Sequence, residues 1–247
     1  MDSEATQPES KPTRHVVLIH GLGAHRVLMW PLAWYLNRKG FVATTFGYPS
    51  WWWSIEHHAN RFRDTLERLE KDPGVESFSI VAHSMGSIVT RQAILSESLS
   101  GSSSKSSSDP DPESASPSSS QPFSKLSRLV LLGPPNQGSP SARRLAAVLP
   151  FCKTLRQISD RPDSFVRNLP PPSGVEVGII TGQYDFVIPQ RNSHLATEKD
   201  HITIFSGHNG LLVRPSVLRQ VAEFLSHGRF SRPAATNAND TNDASAT

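Results

Sequence analysis

The sequence predicts a single α/β domain, with about six mostly parallel strands and helices on both faces of the sheet. Short apolar runs alternate with stretches of helical periodicity, which is the order expected of a parallel sheet. A length of 247 residues suffices for one large core. Three polar stretches interrupt or flank this alternation, so the low hydrophobic content of 36% is a local property.

Six apolar runs predict the strands, because most are rich in β-branched or aromatic residues and end at Gly, Pro or a small polar residue. They lie at 15–19, 41–46, 78–82, 126–132, 175–180 and 201–205. Apolar residues at helical spacing predict helices at 28–39, 55–70, 85–96 and 215–226. Between the fourth and fifth runs, residues 139–172 carry a short helical pattern and end in three prolines, which predicts a small cap.

The polar stretches define the predicted domain organisation. Residues 1–13, about 98–122 and 231–247 hold too few apolar side chains to offset the entropy of ordering the chain, so we expect them to be disordered. The strand pattern resumes after the middle, Ser/Pro-rich stretch, which is therefore interpreted as an insertion within one domain of residues 14–230.

Composition excludes several classes of protein. The single cysteine, Cys152, rules out an internal disulfide framework and a Cys-rich zinc site, and a buried apolar role is expected for it. No run approaches the ~20 apolar residues of a membrane span. The N-terminal residues resemble no secretory signal, so a cytoplasmic protein is expected. The net charge of +3 comes from scattered basic residues, which does not favour nucleic-acid binding. Composition does not indicate the oligomeric state.

A serine lies at the turn between the third strand and the next helix, in Ala82-His83-Ser84-Met85-Gly86. Small residues at both flanks let strand and helix pass closely, and such a tight turn strains the backbone of the serine. The amide of Met85 and the helix dipole would stabilise a developing oxyanion there. This pattern predicts a nucleophile elbow; the alternative is an ordinary Ser/Gly-rich helix start.

Three other strand ends carry residues that could supply the oxyanion donor, the base and the acid that a nucleophilic serine needs. His20-Gly21-Leu22-Gly23 follows the first strand, and its Leu22 amide could serve as a second oxyanion donor; the alternative is an ordinary strand-to-helix turn. Asp185 follows the fifth strand and His208 the sixth. A serine needs a base to take its proton, histidine titrates near neutrality, and a carboxylate fixes its tautomer. The order Ser84, Asp185, His208 therefore predicts a catalytic triad.

The remaining titratable residues suit this chemistry less well, and no metal site is predicted. His57 and His58 are adjacent, so they point to different sides of a helix and cannot form an i,i+4 metal pair; both are expected to be solvated. His194 has no identifiable partner, and His201 is assigned to the strand structure. The rival acids precede or open strands, at the opposite end of the sheet, and are Asp160, Asp163 and Asp200.

The sequence resembles the α/β-hydrolase superfamily, and within it small esterase/lipase-like proteins, over roughly residues 14–230. The segments that carry the resemblance are the His20–Gly23 loop, Trp30-Pro31-Leu32, the 82–86 elbow, the 131–139 string that looks like a lipase T-P-x-x-G-S motif, Gly182-x-x-Asp185 and Gly207-His208. Ala82 departs from the usual glycine but remains small. The chain also starts at the strand usually called third, which implies a reduced fold.

This resemblance implies a serine carboxylic ester hydrolase that needs no metal or organic cofactor. Ser84 would be the nucleophile, His208 the base and Asp185 the orienting acid, with the Leu22 and Met85 amides as oxyanion hole. The implied substrate is a small-molecule or lipid ester. Alternatives are thioester or amide hydrolysis or acyl transfer on the same triad, and a non-enzymatic binding module that retains the fold.

Three tryptophans, Trp51–Trp53, follow the second strand. Three interpretations stay open for them: walls of an acyl or aryl pocket, peripheral contact with a lipid surface, or packing beneath the helix at 55–70.

Overall fold

The computed structural model describes residues 13–100 and 123–232, which form a six-stranded sheet. All five strand pairings are parallel, in the order β2-β1-β3-β4-β5-β6. The strands are β1 (Thr13–Ile19), β2 (Val42–Phe46), β3 (Val75–His83), β4 (Leu126–Leu132), β5 (Glu176–Gly182) and β6 (Glu198–Ile204). The helices are α1 (Trp30–Asn37), α2 (Ile55–Lys71), α3 (Met85–Ser100), α4 (Pro140–Val148), α5 (Lys153–Gln157), α6 (Phe165–Asn168) and α7 (Pro215–His227).

The predicted fold class is confirmed, and every predicted strand has a counterpart in the sheet. Both β3 and β6 begin three residues before the predicted runs, and in β6 the added residues, from Glu198 to Asp200, are all charged. An edge strand has one open side, so its residues need not be apolar to pair with β5. Asp200, assigned to the strand opening, is thus inside β6.

The sheet is buried on both faces, which explains why β1 is a continuous apolar run. Val17 and Ile19 belong to one core cluster and Val16 and Leu18 to the other, as the two-residue period of a strand requires. Helices α2 and α3 cover the first face, whereas α1 and α7 cover the second. The carboxyl ends of all six strands consequently lie along one edge.

Residues 139–172, the cap segment, contain α4, α5 and α6 and are held to the domain by polar contacts. Arg91 of α3 is 1% exposed and donates to the carbonyls of Leu169 at 2.6 Å and Pro170 at 3.2 Å, and to Asn136 Oδ1 at 3.1 Å. All of these acceptors are neutral, and burial lowers the pKa of Arg91 to about 10. The buried guanidinium therefore ties the end of the cap segment to α3.

The solvation expected for His57 and His58 is wrong for one of the pair. His57 is exposed, but His58 is fully buried, with its ring centroid 4.7 Å from that of Tyr48. Adjacent residues on a helix face different directions, so one of them can reach the core while the other stays in solvent. The buried role expected for Cys152 is confirmed, since its exposure is 0%.

The tryptophans Trp51–Trp53 are exposed by 42%, 64% and 54%, so none of them is buried beneath α2. The Trp53 ring still contacts the start of this helix, with its centroid 4.8 Å from that of His57. The predicted Ser/Pro-rich insertion lies almost wholly outside the described residues, as do most of both predicted tails. In the described ranges, no helix is both long and apolar enough to cross a membrane.

Candidate active site

Ser84 occupies a strained turn between β3 and α3. Its φ of +52° makes it one of two non-glycine residues with positive φ in the described chain. A Cβ added to Gly86 would lie 2.6 Å from the carbonyl oxygen of His20 and 2.9 Å from that of Ile19. Helix α3 therefore crosses the end of β1 so closely that only glycine fits at position 86.

Asp185 and His208 are in direct contact beyond the ends of β5 and β6. His208 Nδ1 lies 2.6 Å from Asp185 Oδ2, and both side chains are at least nine-tenths buried. The other carboxylate oxygen, Oδ1, accepts the backbone N–H groups of Val187 at 2.9 Å and Ile188 at 2.8 Å. These two bonds fix the carboxylate, which in turn fixes the imidazole.

His83, the residue before Ser84, contacts His208. Its ring centroid is 4.7 Å from that of His208, and its Nε2 lies 3.2 Å from the His208 carbonyl oxygen. Burial lowers the pKa of His83 to about 3, so the ring is neutral at physiological pH. The Ser84 hydroxyl makes no hydrogen bond to another described residue. Catalytic hydrogen bonds are often long without substrate and shorten in the reacting complex.

The loop after β1 approaches the serine from the other side. A Cβ added to Gly21 would lie 2.8 Å from Ser84 Cβ. Neither the Leu22 nor the Met85 amide donates to an acceptor within the described parts of the chain. Both predicted oxyanion donors thus have an N–H group without a hydrogen-bond acceptor in these parts of the chain.

Tyr48 holds this loop in place, a role that the sequence does not predict. Its hydroxyl donates to the His20 carbonyl at 2.7 Å, and the Tyr48 and His20 rings stack with centroids 4.5 Å apart. Ser50 adds a second support, because its hydroxyl accepts the Gly23 N–H at 3.0 Å. In the sequence, the only indication of such a role is that residues 48–50 follow the end of the second strand.

Exposed aromatic side chains, here called the aromatic rim, follow the ends of β2 and β5 and extend into the cap segment. They are Trp51–Trp53, which line one pocket with Phe151 of the cap segment, and Phe186, which follows Asp185 in the chain and is itself 85% exposed. The loop of Trp51–Trp53 is bonded to the cap segment, since Thr154 Oγ1 donates to the Trp53 carbonyl at 3.0 Å.

Two rival acids have other partners. Asp160 pairs with Arg143 at 3.0 Å, and Asp200 pairs with Arg232 and accepts the Phe230 N–H. A separate group that sequence reasoning missed consists of His194, Glu198 and His201, whose side chains meet near the start of β6.

Comparison with known proteins places this geometry in a structural class. No family model and no curated protein matches the sequence. Among solved structures, the mature lipase BlEst2 of Bacillus licheniformis matches with a TM-score of 0.61 and 12% identity, over 91% of this chain and 95% of the lipase. Lipase B of Aspergillus fumigatus matches with a TM-score of 0.62 and 12% identity, over 87% of this chain and 53% of the lipase.

A third match is the metagenomic carboxyl esterase MGS0156, with a TM-score of 0.59 and 13% identity, over 83% of this chain and 68% of the esterase. The chain therefore has the α/β-hydrolase fold, which the sequence resemblance implied.

Proposed function

We propose that the protein is a serine hydrolase that cleaves carboxylic esters through an acyl-enzyme on Ser84. The observation that carries the proposal is the 2.6 Å contact between His208 Nδ1 and Asp185 Oδ2, at the same sheet edge as a strained serine. Lipases and an esterase among the structural neighbours support the same class of reaction.

The proposed reaction has two halves. In the first, Ser84 Oγ attacks the ester carbonyl carbon while His208 Nε2 takes the serine proton and Asp185 stabilises the imidazolium. The Leu22 and Met85 amides donate to the oxyanion, and collapse expels the alcohol, which receives the proton from His208. In the second half, His208 deprotonates a water that attacks the acyl-enzyme, which releases the acid and restores Ser84.

The aromatic rim supports an uncharged substrate, either a small-molecule ester or a lipid ester. Exposed Trp51–Trp53 and Phe151 offer apolar surface beside the site, which suits an acyl or aryl group. Tryptophan also prefers the boundary between water and lipid, so we infer peripheral contact with a lipid surface through the same side chains. The triad supplies the nucleophile and base itself, so the proposed reaction requires no cofactor.

The test combines a fluorophosphonate probe with hydrolysis of p-nitrophenyl esters of increasing chain length. Ser84→Ala is expected to lose labelling and to lower the turnover number at least about a thousandfold, while the circular-dichroism spectrum stays unchanged. Ser87→Ala is the matched control, since Ser87 is a buried serine in the first turn of α3, three residues after Ser84, and its hydroxyl donates to the Ala82 carbonyl.

Full activity in Ser84→Ala would remove the assignment. Failure of the probe to label the folded wild-type protein would favour a binding module. Labelling without ester turnover would favour thioester or amide hydrolysis or acyl transfer, which a panel of donors and acceptors separates.

A further inference from the structure

We propose that His194, Glu198 and His201 form a binding site for a divalent transition-metal ion, and that this ion is Zn²⁺. His194 lies in the turn before β6, and Glu198 and His201 lie within β6. Each residue offers one ligand atom, and the three atoms lie within 4.8 Å of one another.

Both nitrogen-to-oxygen separations in the cluster are within about 0.7 Å of those in a tetrahedral zinc site. His194 Nδ1 is 2.8 Å and His201 Nδ1 is 3.3 Å from the same carboxylate oxygen, Glu198 Oε1. Zinc bonds of about 2.0–2.2 Å in tetrahedral geometry place neighbouring ligand atoms about 3.3–3.5 Å apart. The side chains can therefore take up an ion at their centre with small movements.

Outer contacts orient two of the three ligands. The second ring nitrogen of His201, Nε2, lies 3.2 Å from the hydroxyl of Thr181, which is 1% exposed. That contact leaves Nδ1 facing the cluster, as is usual for a metal-bound histidine. The second carboxylate oxygen of Glu198 accepts the Leu195 N–H at 2.9 Å. These bonds hold the imidazole and the carboxylate in the geometry that binding needs.

The side chains of the cluster define which metal ion it would bind, and their exposure allows that ion to enter. Two imidazoles and one carboxylate favour zinc or a neighbouring transition metal over Mg²⁺ and Ca²⁺, which prefer oxygen ligands. The His194 side chain is 54% exposed, so an ion can enter from solvent, and three protein ligands leave a fourth position for water.

Bound zinc would join the turn at 193–197 to the edge strand β6. The cluster lies in the first half of β6, whereas His208 follows the carboxyl end of that strand. The site is thus separate from the proposed catalytic residues and does not depend on the proposed function.

The test is a titration of the full chain, prepared without an affinity tag, with Zn²⁺. Isothermal titration calorimetry gives the number of ions bound per chain and their affinity. We expect one ion to bind per chain, and we expect His194→Ala and Glu198→Gln each to weaken the affinity more than tenfold. Thr181→Val removes the outer contact to His201, together with the bonds of the same hydroxyl to Thr203 and the Ile202 carbonyl, and is expected to weaken binding about tenfold. Because His194 is exposed, its replacement by alanine leaves the core intact, so this variant reports on binding and not on folding.

A matched control exists on α7, where His227 Nδ1 lies 3.0 Å from Glu223 Oε2. This exposed pair has no third ligand within the described part of the chain. His227→Ala is therefore expected to bind zinc as the wild type does. Replacing zinc with Co²⁺ gives a second readout, because tetrahedral Co²⁺ absorbs strongly in the visible range; His194→Ala should lose this absorption.

Absence of zinc uptake by the wild-type chain would overturn the proposal. So would unchanged affinity in His194→Ala and Glu198→Gln, because the ion would then be bound elsewhere, for example by His208. The ester hydrolysis assay is not a readout of this experiment, so failure of either proposal can be recognised separately.

Discussion

At the scale of single residues, the Asp185 carboxylate uses one oxygen to orient His208 and the other to hold its own position. Its Oδ2 faces His208 Nδ1, while its Oδ1 accepts the N–H groups of Val187 and Ile188. The second set of bonds is local, so the loop after β5 itself orients the carboxylate. The orientation of the His208 imidazole then depends on a carboxylate that its own loop already holds in place.

Asp185→Asn tests this arrangement. Asparagine retains an oxygen for the two backbone donors, but its amide group would face His208 Nδ1 and favour the wrong tautomer. We expect kcat/KM for p-nitrophenyl esters to fall roughly 10³–10⁴-fold with little change in thermal stability. Near-normal activity in a folded Asp185→Asn protein would contradict the proposed role.

At the scale of elements, the crossing of β1 and α3 positions the serine. Gly86 lies against the backbone carbonyls of Ile19 and His20, and backbone atoms cannot move aside as a flexible side chain can. The position of the elbow is therefore set by helix-to-strand packing, and the short loop at Ser84 follows from it.

Gly86→Ala is expected to push α3 away from β1. The extra methyl group would cost about 1–3 kcal/mol of unfolding free energy, measured by urea denaturation, and would lower the proposed esterase activity by displacing Ser84. Gly74→Ala is the control, because its nearest contact is the Asp72 carboxylate at 3.3 Å, which can adjust. Equal effects of both substitutions would show that the close crossing is unimportant.

At the scale of the whole molecule, buried histidines couple folding to pH. Burial lowers the pKa of His58 to about 4 and that of His83 to about 3. Both values lie below the unfolded value of about 6.5. At pH values between the folded-state and the unfolded-state pKa, the unfolded chain therefore binds more protons than the folded chain. The free energy of unfolding falls as the pH is lowered through this range.

His58→Phe measures one share of this effect without altering the proposed catalytic residues. Between pH 7.5 and pH 5, the wild type is expected to lose about 2 kcal/mol more unfolding free energy than the variant. Urea denaturation at both pH values gives the comparison. Identical losses in the two proteins would mean that His58 takes up its proton without unfolding.

Much of this molecule is predictable from local pattern. Strand and helix periodicity identified the sheet, and the strand ends identified Ser84, Asp185 and His208 as candidates; the contact between the latter two is present. Local pattern failed where burial depends on a distant element. His58 looks like a surface residue of a charged helix, but Tyr48 from the loop after β2 covers it.

The alternation of strands and helices and the order of the reactive residue types can be recognised in the sequence alone, because side-chain periodicity and turn composition are properties of neighbouring residues. Contacts between distant residues emerge only in the folded molecule: the His83 ring against His208, Tyr48 on the His20 carbonyl, and His194 and His201 around Glu198. Such contacts depend on strand register and on how closely helices pack. Both are fixed only when the whole core closes.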